Sequence, residues 1–271
     1  MNGKRDLRAA LQPPEDLDTR GGRLRALLAD AAWRRRVLII VAIMTLLLVA
    51  GLAALVSLVS VLPIDLWATR ELQEHPRELL FQTMYAISIF GYQPWAAATV
   101  VVGAVLVGIW LGWRTGAYLL ALVIIQGLIN AAIKLTIGRP RPIGSLVDVI
   151  VPEQGNSFPS GHVMFYTVFF GMLCFLAWIH LQRPWQRWPA VTMSASLVLL
   201  IGVSRMTLGS HWLSDVVAAY LLGLLLLALG IEGYATLIAP QIFALPPAVA
   251  AAETNTHGAG GTARPMPPKN S

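Results

Sequence analysis

The feature that most constrains this chain is a series of long apolar runs, the first extending without a charge from Val37 to about Leu62 directly behind Arg34, Arg35 and Arg36. A run of that length crosses a ~30 Å hydrocarbon core as an α-helix. Further runs extend from about Pro94 to Trp113, Thr115 to Ile137, His162 to Leu181, Ala190 to Val203 and Leu213 to Ile238. The fifth is the shortest and stands to gain residues from Arg187 to Pro189 or from the Ser204 end. Only 13% of the 271 residues are charged, where an ordinary soluble domain has roughly 25%. The expected fold class is therefore all-α, a polytopic membrane bundle of six transmembrane helices.

Composition also removes several function classes. The formal net charge is +6, but the basic residues cluster beside hydrophobic segments instead of forming a soluble basic face. Membrane orientation explains them better than nucleic-acid binding. The single cysteine, Cys174, sits inside an apolar run as a small core or lipid-facing residue, which excludes an intrachain disulfide framework and a thiolate metal site.

Residues 1–33 form a polar arm with Pro13-Pro14 and Gly21-Gly22 and no short apolar core followed by a small-residue cleavage site, so a removable signal peptide is not expected. The spanning domain covers 34–240. The tail, 241–271, is rich in Ala, Gly, Pro and Thr from Pro246 onward and is expected to be disordered. Between the first two spans, Asp65, Arg70, Glu71, Glu74, His75 and Arg77 prevent 63–93 from crossing over its whole length. Leu79, Leu80, Met84, Ile87 and Phe90 recur at helical spacing there, which suits a helix lying in the interface or a short packed helix in a connection. Gly108 and Gly112 have a spacing that permits close helix contact. Such pairs arise often by chance, and a dimer through them is not expected.

Six spans place both termini on one side. Lys4, Arg5, Arg8, Arg20, Arg23, Arg25, the Arg34–Arg36 triplet, Arg114, Arg183, Arg187, Arg264 and Lys269 all fall on that side, which the positive-inside rule makes cytoplasmic. The other side keeps Arg70 and Arg77 together with Lys134, Arg139, Arg141 and Arg205. The last four run against the sorting rule in the very loops that hold three polar motifs, which suggests that they are retained for a ligand outside the cytoplasm.

Those motifs are Lys134 with Arg141-Pro142, Pro159-Ser160-Gly161-His162, and Ser204-Arg205 with His211 and Asp215. Lys134 offers a point charge, while Arg141 and Arg205 offer planar forks that grip two oxygens at once. Three such cations can replace a metal ion on a phosphate. Ser160 and Gly161 precede a span, so their N–H groups can cradle an anion at a helix start, with His162 facing the same anion. His211 and Asp215 stand one helical turn apart, and the carboxylate can hold the imidazole in one tautomer. An oriented neutral imidazole is a competent nucleophile toward phosphorus.

In order and internal spacing the three fragments resemble the complete signature of the type 2 phosphatidic acid phosphatase family, which joins membrane lipid-phosphate phosphatases to soluble acid phosphatases and vanadium-dependent haloperoxidases. The resemblance covers Lys134 to Asp215 at motif level. It implies that His211 attacks to form a phosphohistidine, that Asp215 orients it, and that His162 protonates the leaving oxygen before activating water. It also implies phosphate contacts from Lys134, Arg141, Ser160, Gly161 and Arg205. No metal or other cofactor is called for. The expected partners are the bilayer and a lipid phosphate substrate such as undecaprenyl pyrophosphate, phosphatidylglycerol phosphate or phosphatidic acid. The Ala- and Arg-rich composition points to a bacterial inner membrane, with the site facing the periplasm or exterior. Oligomeric state is left open.

Other residues receive plainer readings. Ser204 can simply bond locally, and Arg139, between the matching positions, reads as an interface or loop residue. His75, His180 and His257 match nothing and read as solvated or interfacial. The tryptophans, Trp33, Trp67, Trp113, Trp185, Trp188 and Trp212 among them, read as an aromatic belt at span ends. Two alternative functions remain: transfer of the phosphoryl group to another lipid, and a non-catalytic lipid-binding or transport protein of the same fold. The set of His162, His211 and Asp215 argues against the second, since a mere anion site needs cations but no acid and no oriented nucleophile.

Overall fold

The computed structural model describes residues 30–74 and 78–240. The expectations for the polar arm over 1–29, for His75, and for the tail with His257 lie outside the described residues. The chain divides into a unit of residues 38–239 and a second unit of 1–37 with 240–271. Every residue of the candidate site belongs to the first.

Eight α-helices follow one another, with no strand among the described residues: α1 (Ala31–Leu58), α2 (Pro63–Gln73), α3 (Glu78–Ser88), α4 (Trp95–Leu111), α5 (Trp113–Ile137), α6 (Gly161–His180), α7 (Pro184–Thr207) and α8 (Leu213–Leu237). Helices α1, α5, α6, α7 and α8 are each long and apolar enough to cross a membrane. A sixth candidate arises only if 78–91 and α4, which meet at a 62° bend, count together as one broken span. Helix α1 opens at Ala31, earlier than the expected Val37, because the Asp30 carboxylate caps it by accepting the N–H groups of Ala32 at 2.8 Å and Trp33 at 3.2 Å. The arginine triplet therefore lies inside its first turns.

The fifth span is longer than the expected Ala190–Val203, as its two ends explain. Proline's missing N–H costs nothing at the first helical position, so Pro184 starts α7, and the helix continues through Pro189 in its interior. At the other end the polar Ser204 and Arg205 stay helical because α3 supplies their partners. Ser204 Oγ donates to the Met84 carbonyl at 2.5 Å and lies 2.7 Å from Ser88 Oγ.

Helix α6 is the centre of the bundle and packs against α5, α7 and α8. Its Val163, Met164, Tyr166, Val168, Phe169, Met172 and Leu176 are essentially inaccessible. Helix α1 is the opposite case: Ile39, Ile40, Leu46, Leu47 and Leu48 are exposed, and only Thr45, Val49 and Val56 are buried. A helix apolar on all sides with one narrow buried edge suits a lipid solvent.

The 63–93 connection is two packed helices. Helix α2 contacts α7 and α8, and α3 lies along α7 with Met84 and Ser88 buried, in keeping with the packed alternative. Gly108 also has its partner inside this chain. A Cβ on Gly116 would meet the Ala104 carbonyl at 2.3 Å and Gly108 Cα at 2.9 Å, so small residues let α4 and α5 close on each other.

Candidate active site

The C-terminal ends of α5 and α7 and the N-terminal starts of α6 and α8 deliver the three motifs to one end of the bundle. There the 138–160 loop ties them together. Lys134 Nζ, in the last turn of α5, donates to the carbonyls of Asn156 at 2.5 Å and Ser157 at 3.2 Å, and Asn156 Nδ2 returns a bond to the Lys134 carbonyl at 2.8 Å. One turn earlier, buried Asn130 donates to the Pro159 carbonyl at 3.3 Å. The start of α6 is thereby fixed against α5, with Gly161 facing Asn130 and the Lys134 stem.

Arg141 reaches across the loop. Its Nε donates to the Gly155 carbonyl at 3.1 Å, and its Nη1 donates to the Ser210 carbonyl at 2.9 Å and lies 3.2 Å from His211 Nε2. Arg205 comes from the last turn of α7 and is fully buried. Its Nη1 donates to Tyr92 Oη at 2.5 Å and Ser88 Oγ at 3.2 Å. Both arginines share Glu153: Arg141 Nη1 is 2.8 Å from Oε2, and Arg205 Nη2 donates to Oε1. The same Oε2 is 4.0 Å from His211 Nε2.

His211 stands in the 208–212 turn between α7 and α8. Gly209 makes this turn possible. Its φ is +66°, and a Cβ there would meet the Asp148 carbonyl oxygen at 2.0 Å. The His211 ring presents Nε2 to the cations and Nδ1 to Asp215 Oδ2, 3.4 Å away, with Ser157 Oγ bridging the two. Burial, reinforced by the charges of Arg141, Arg205 and Lys134, pushes this imidazole well below its ordinary 6.5. At neutral pH this imidazole is therefore uncharged.

Asp215 sits at the third position of α8 and accepts the Trp212 N–H at 2.9 Å. Asp65 plays the same part in α2, accepting the Leu62 N–H at 3.2 Å. Arg139 joins the two helix starts, with Nη1 2.5 Å from Asp215 Oδ1 and Nη2 2.6 Å from Asp65 Oδ2, all three side chains being inaccessible to solvent. Asp65 also accepts from the Ser214 amide and hydroxyl at 2.8 and 2.7 Å. Arg139 is thus a loop residue, one of the two readings its position between the motif residues allowed, but a buried one and not at an interface. It is the buried counter-ion of the carboxylate behind His211. Trp212 departs from the aromatic belt for a related reason: it opens α8 beneath the motif and is fully buried, whereas Trp67, Trp113, Trp185 and Trp188 are exposed. His180 finds a partner within the bundle, Tyr234 Oη at 3.2 Å.

His162 occupies the first turn of α6. Its ring packs edge-on against Tyr92 with centroids 4.6 Å apart. Tyr92 is held by Arg205, which pairs with Glu153 beside His211, so both imidazoles border one cluster of cations. Among the described residues, Ser160 Oγ, His162 Nε2 and Arg205 Nε are buried without a hydrogen-bond partner. Buried polar groups are nearly always paired. That three of the exceptions are motif residues at this one site fits an anion with several acceptor oxygens.

The sequence pattern of the PAP2 superfamily matches residues 115–238. The match takes in α5 to α8 and all three motifs, and leaves out α1 to α4 with Asp65 and Tyr92. Phosphatidylglycerophosphatase B of Bacillus subtilis (strain 168) is 33% identical over 108 residues, 40% of this chain and 51% of that protein. The chain thus matches about half the length of this curated relative. Two crystal structures share this chain's fold. The transmembrane PAP2 type phosphatidylglycerolphosphate phosphatase from Bacillus subtilis aligns with a TM-score of 0.63 at 24% identity, over 72% of this chain and 96% of that one. Aquifex aeolicus LpxE aligns with a TM-score of 0.53 at 18% identity, over 64% and 98%.

Several residues of the site escaped the sequence reading. Ser157, Glu153, Asp65, Tyr92 and Ser88 stand outside the three motifs. The one signal available for Asp65 was its place two residues after Pro63, the third position of a proline-started helix.

Proposed function

We propose that this chain is a membrane phosphatase that hydrolyses a lipid phosphate or pyrophosphate through a phosphohistidine intermediate, without a metal ion, at the extracytoplasmic face of a bacterial inner membrane. The observation that carries this reading is the position of the Glu153 carboxylate. It bridges Arg141 and Arg205 with one oxygen 4.0 Å from His211 Nε2, so the site already holds an anion in front of the nucleophile. Ser160 Oγ and Arg205 Nε, buried without hydrogen-bond partners, retain bonding capacity for a phosphoryl group.

In this mechanism Lys134, Arg141 and Arg205 draw charge from the phosphoryl oxygens. His211 Nε2 attacks phosphorus as the bond to the lipid oxygen breaks, and His162 gives its Nε2 proton to that oxygen. The imidazolium formed at His211 is stabilised by Asp215 through Nδ1. Water then attacks the phosphohistidine, its proton passing to His162, and inorganic phosphate leaves. Gly161 N–H, at the start of α6, stands with Ser160 as a phosphate contact.

The apolar part of the substrate has a place beside this site. A crevice of about 430 Å³ between α4 and α5 is walled by Ala97, Val101, Val123 and Ile124 and ends at Asn130 and Gly161. The sorting of cations between the two ends of the bundle favours an extracytoplasmic site. Similarity to phosphatidylglycerophosphatase B makes phosphatidylglycerol phosphate the first of the three candidate substrates to try.

The test is phosphate release by the full-length protein from phosphatidylglycerol phosphate, phosphatidic acid and undecaprenyl pyrophosphate, with and without a chelator. Chelator-insensitive release of free phosphate is expected. Strict dependence on a divalent ion, movement of labelled phosphate to a second lipid, or no turnover of any of the three would contradict the proposal.

A further inference from the structure

The role of Glu153 goes further than marking a phosphate position. We propose that Glu153 is a binding-site residue of its own kind, an internal anion that occupies the cradle of Arg141 and Arg205 and that every incoming phosphate must displace. This rests on the reading of the site as a phosphate site.

The geometry carries the inference in three steps. Both guanidinium groups that face His211 direct nitrogens at the two oxygens of one carboxylate, Arg141 at Oε2 and Arg205 at Oε1. A phosphoryl group cannot take those same nitrogens while the carboxylate stays, and two anions in that space would repel. The fixed anchors of both arginines lie elsewhere: Arg141 on the carbonyls of Gly155 and Ser210, and Arg205 on Tyr92 and Ser88. Removing Glu153 therefore leaves the cations in place and merely opens them. Finally, the Glu153 side chain is 17% exposed whereas that of Arg205 is wholly buried, so the carboxylate has a way out toward solvent. It sits in the irregular segment 150–157, outside any helix.

An internal competitor divides the apparent affinity of every ligand by the same factor, because each ligand binds only the open fraction. A site closed nine-tenths of the time weakens phosphate about tenfold. The consequence for the reaction lies at its end. After hydrolysis the carboxylate returns to the arginines and displaces inorganic phosphate, while a lipid substrate retains the added hold of its tail.

The experiment compares the full-length wild type with Glu153→Gln, which keeps the shape and removes the charge, and with Glu153→Asp, whose shorter arm cannot span both arginines. Binding of inorganic phosphate is measured by calorimetry in detergent, independently of turnover, beside KM and kcat/KM for phosphatidic acid. The inference predicts that Glu153→Gln lowers the phosphate Kd and KM by a common factor of about ten and raises kcat/KM. Glu153→Asp falls between. An unchanged phosphate Kd, or a kcat/KM that falls, overturns it. Absence of turnover in the wild type would instead defeat the proposed function, and the phosphate Kd would still decide the role of Glu153.

Discussion

Arg139 binds Asp215 from the side opposite His211, with Nη1 2.5 Å from Oδ1 while the imidazole approaches Oδ2. The carboxylate that orients the proposed nucleophile is therefore clamped between a buried guanidinium and the ring it serves. Through Nη2 the same arginine reaches Asp65 at the start of α2, so an element outside the family-matched segment sets the position of a motif residue within it.

Truncating Arg139 to Ala strands two buried carboxylates, Asp65 and Asp215. Breaking a buried ion pair by removing one partner costs about 3–5 kcal/mol, and Arg139→Ala is expected to lose that order of stability along with turnover. Thermal unfolding of the purified protein in detergent checks it. A melting temperature equal to that of the wild type would show that the clamp carries no energy.

Gly209→Ala tests how the His211 turn is held. An L side chain at φ +66° is strained, and its Cβ would lie 2.0 Å from the Asp148 carbonyl oxygen. Forced backbone conformations of this kind cost about 1–3 kcal/mol, and here the displaced segment carries His211, the proposed nucleophile. The variant is expected to lose most of its turnover with only a modest fall in melting temperature. Full activity would mean that the turn does not position His211.

The depressed basicity of His211 gives a pH dependence with a definite sign. In the unfolded chain the imidazole takes up a proton near 6.5, whereas burial beside Arg141, Arg205 and Lys134 keeps the folded form neutral well below that. The stability linked to this group is whole above pH 6.5 and is lost as pH falls from there toward the lowered folded value. His211→Gln removes this dependence, so wild type and variant should converge in melting temperature as the solution is acidified. A difference constant across the acid range would contradict it.

What the sequence made legible and what it did not separate along physical lines. Apolar run length exposed the spans, and the spacing of His162, His211 and Asp215 marked them as candidates that the fold brings to one end of the bundle, since both are local patterns. Glu153, Ser157 and Tyr92 reach the site through irregular loops or a bend, where no periodicity marks a side chain as facing a ligand. Asp65 was one acidic residue among several in a charged connection, and only packing against Arg139 sets it apart. Trp212 looked like the other tryptophans at span ends, and burial beneath the third motif is a tertiary fact. Helix α7 extends beyond Ala190–Val203 at both ends, in the directions expected, because Pro184 occupies its first position and the polar Ser204 and Arg205 find partners in Met84, Ser88, Tyr92 and Glu153.

The most direct test of the account is to trap the intermediate. Full-length protein is mixed with a lipid phosphate, quenched in alkali to preserve phosphohistidine, and mapped by peptide mass spectrometry, with His211→Ala alongside. The account predicts a phosphoryl group on His211 in the wild type, and neither label nor phosphate release in a His211→Ala protein that remains folded. Undiminished release by His211→Ala, or turnover in the wild type with the label on another residue, would contradict it.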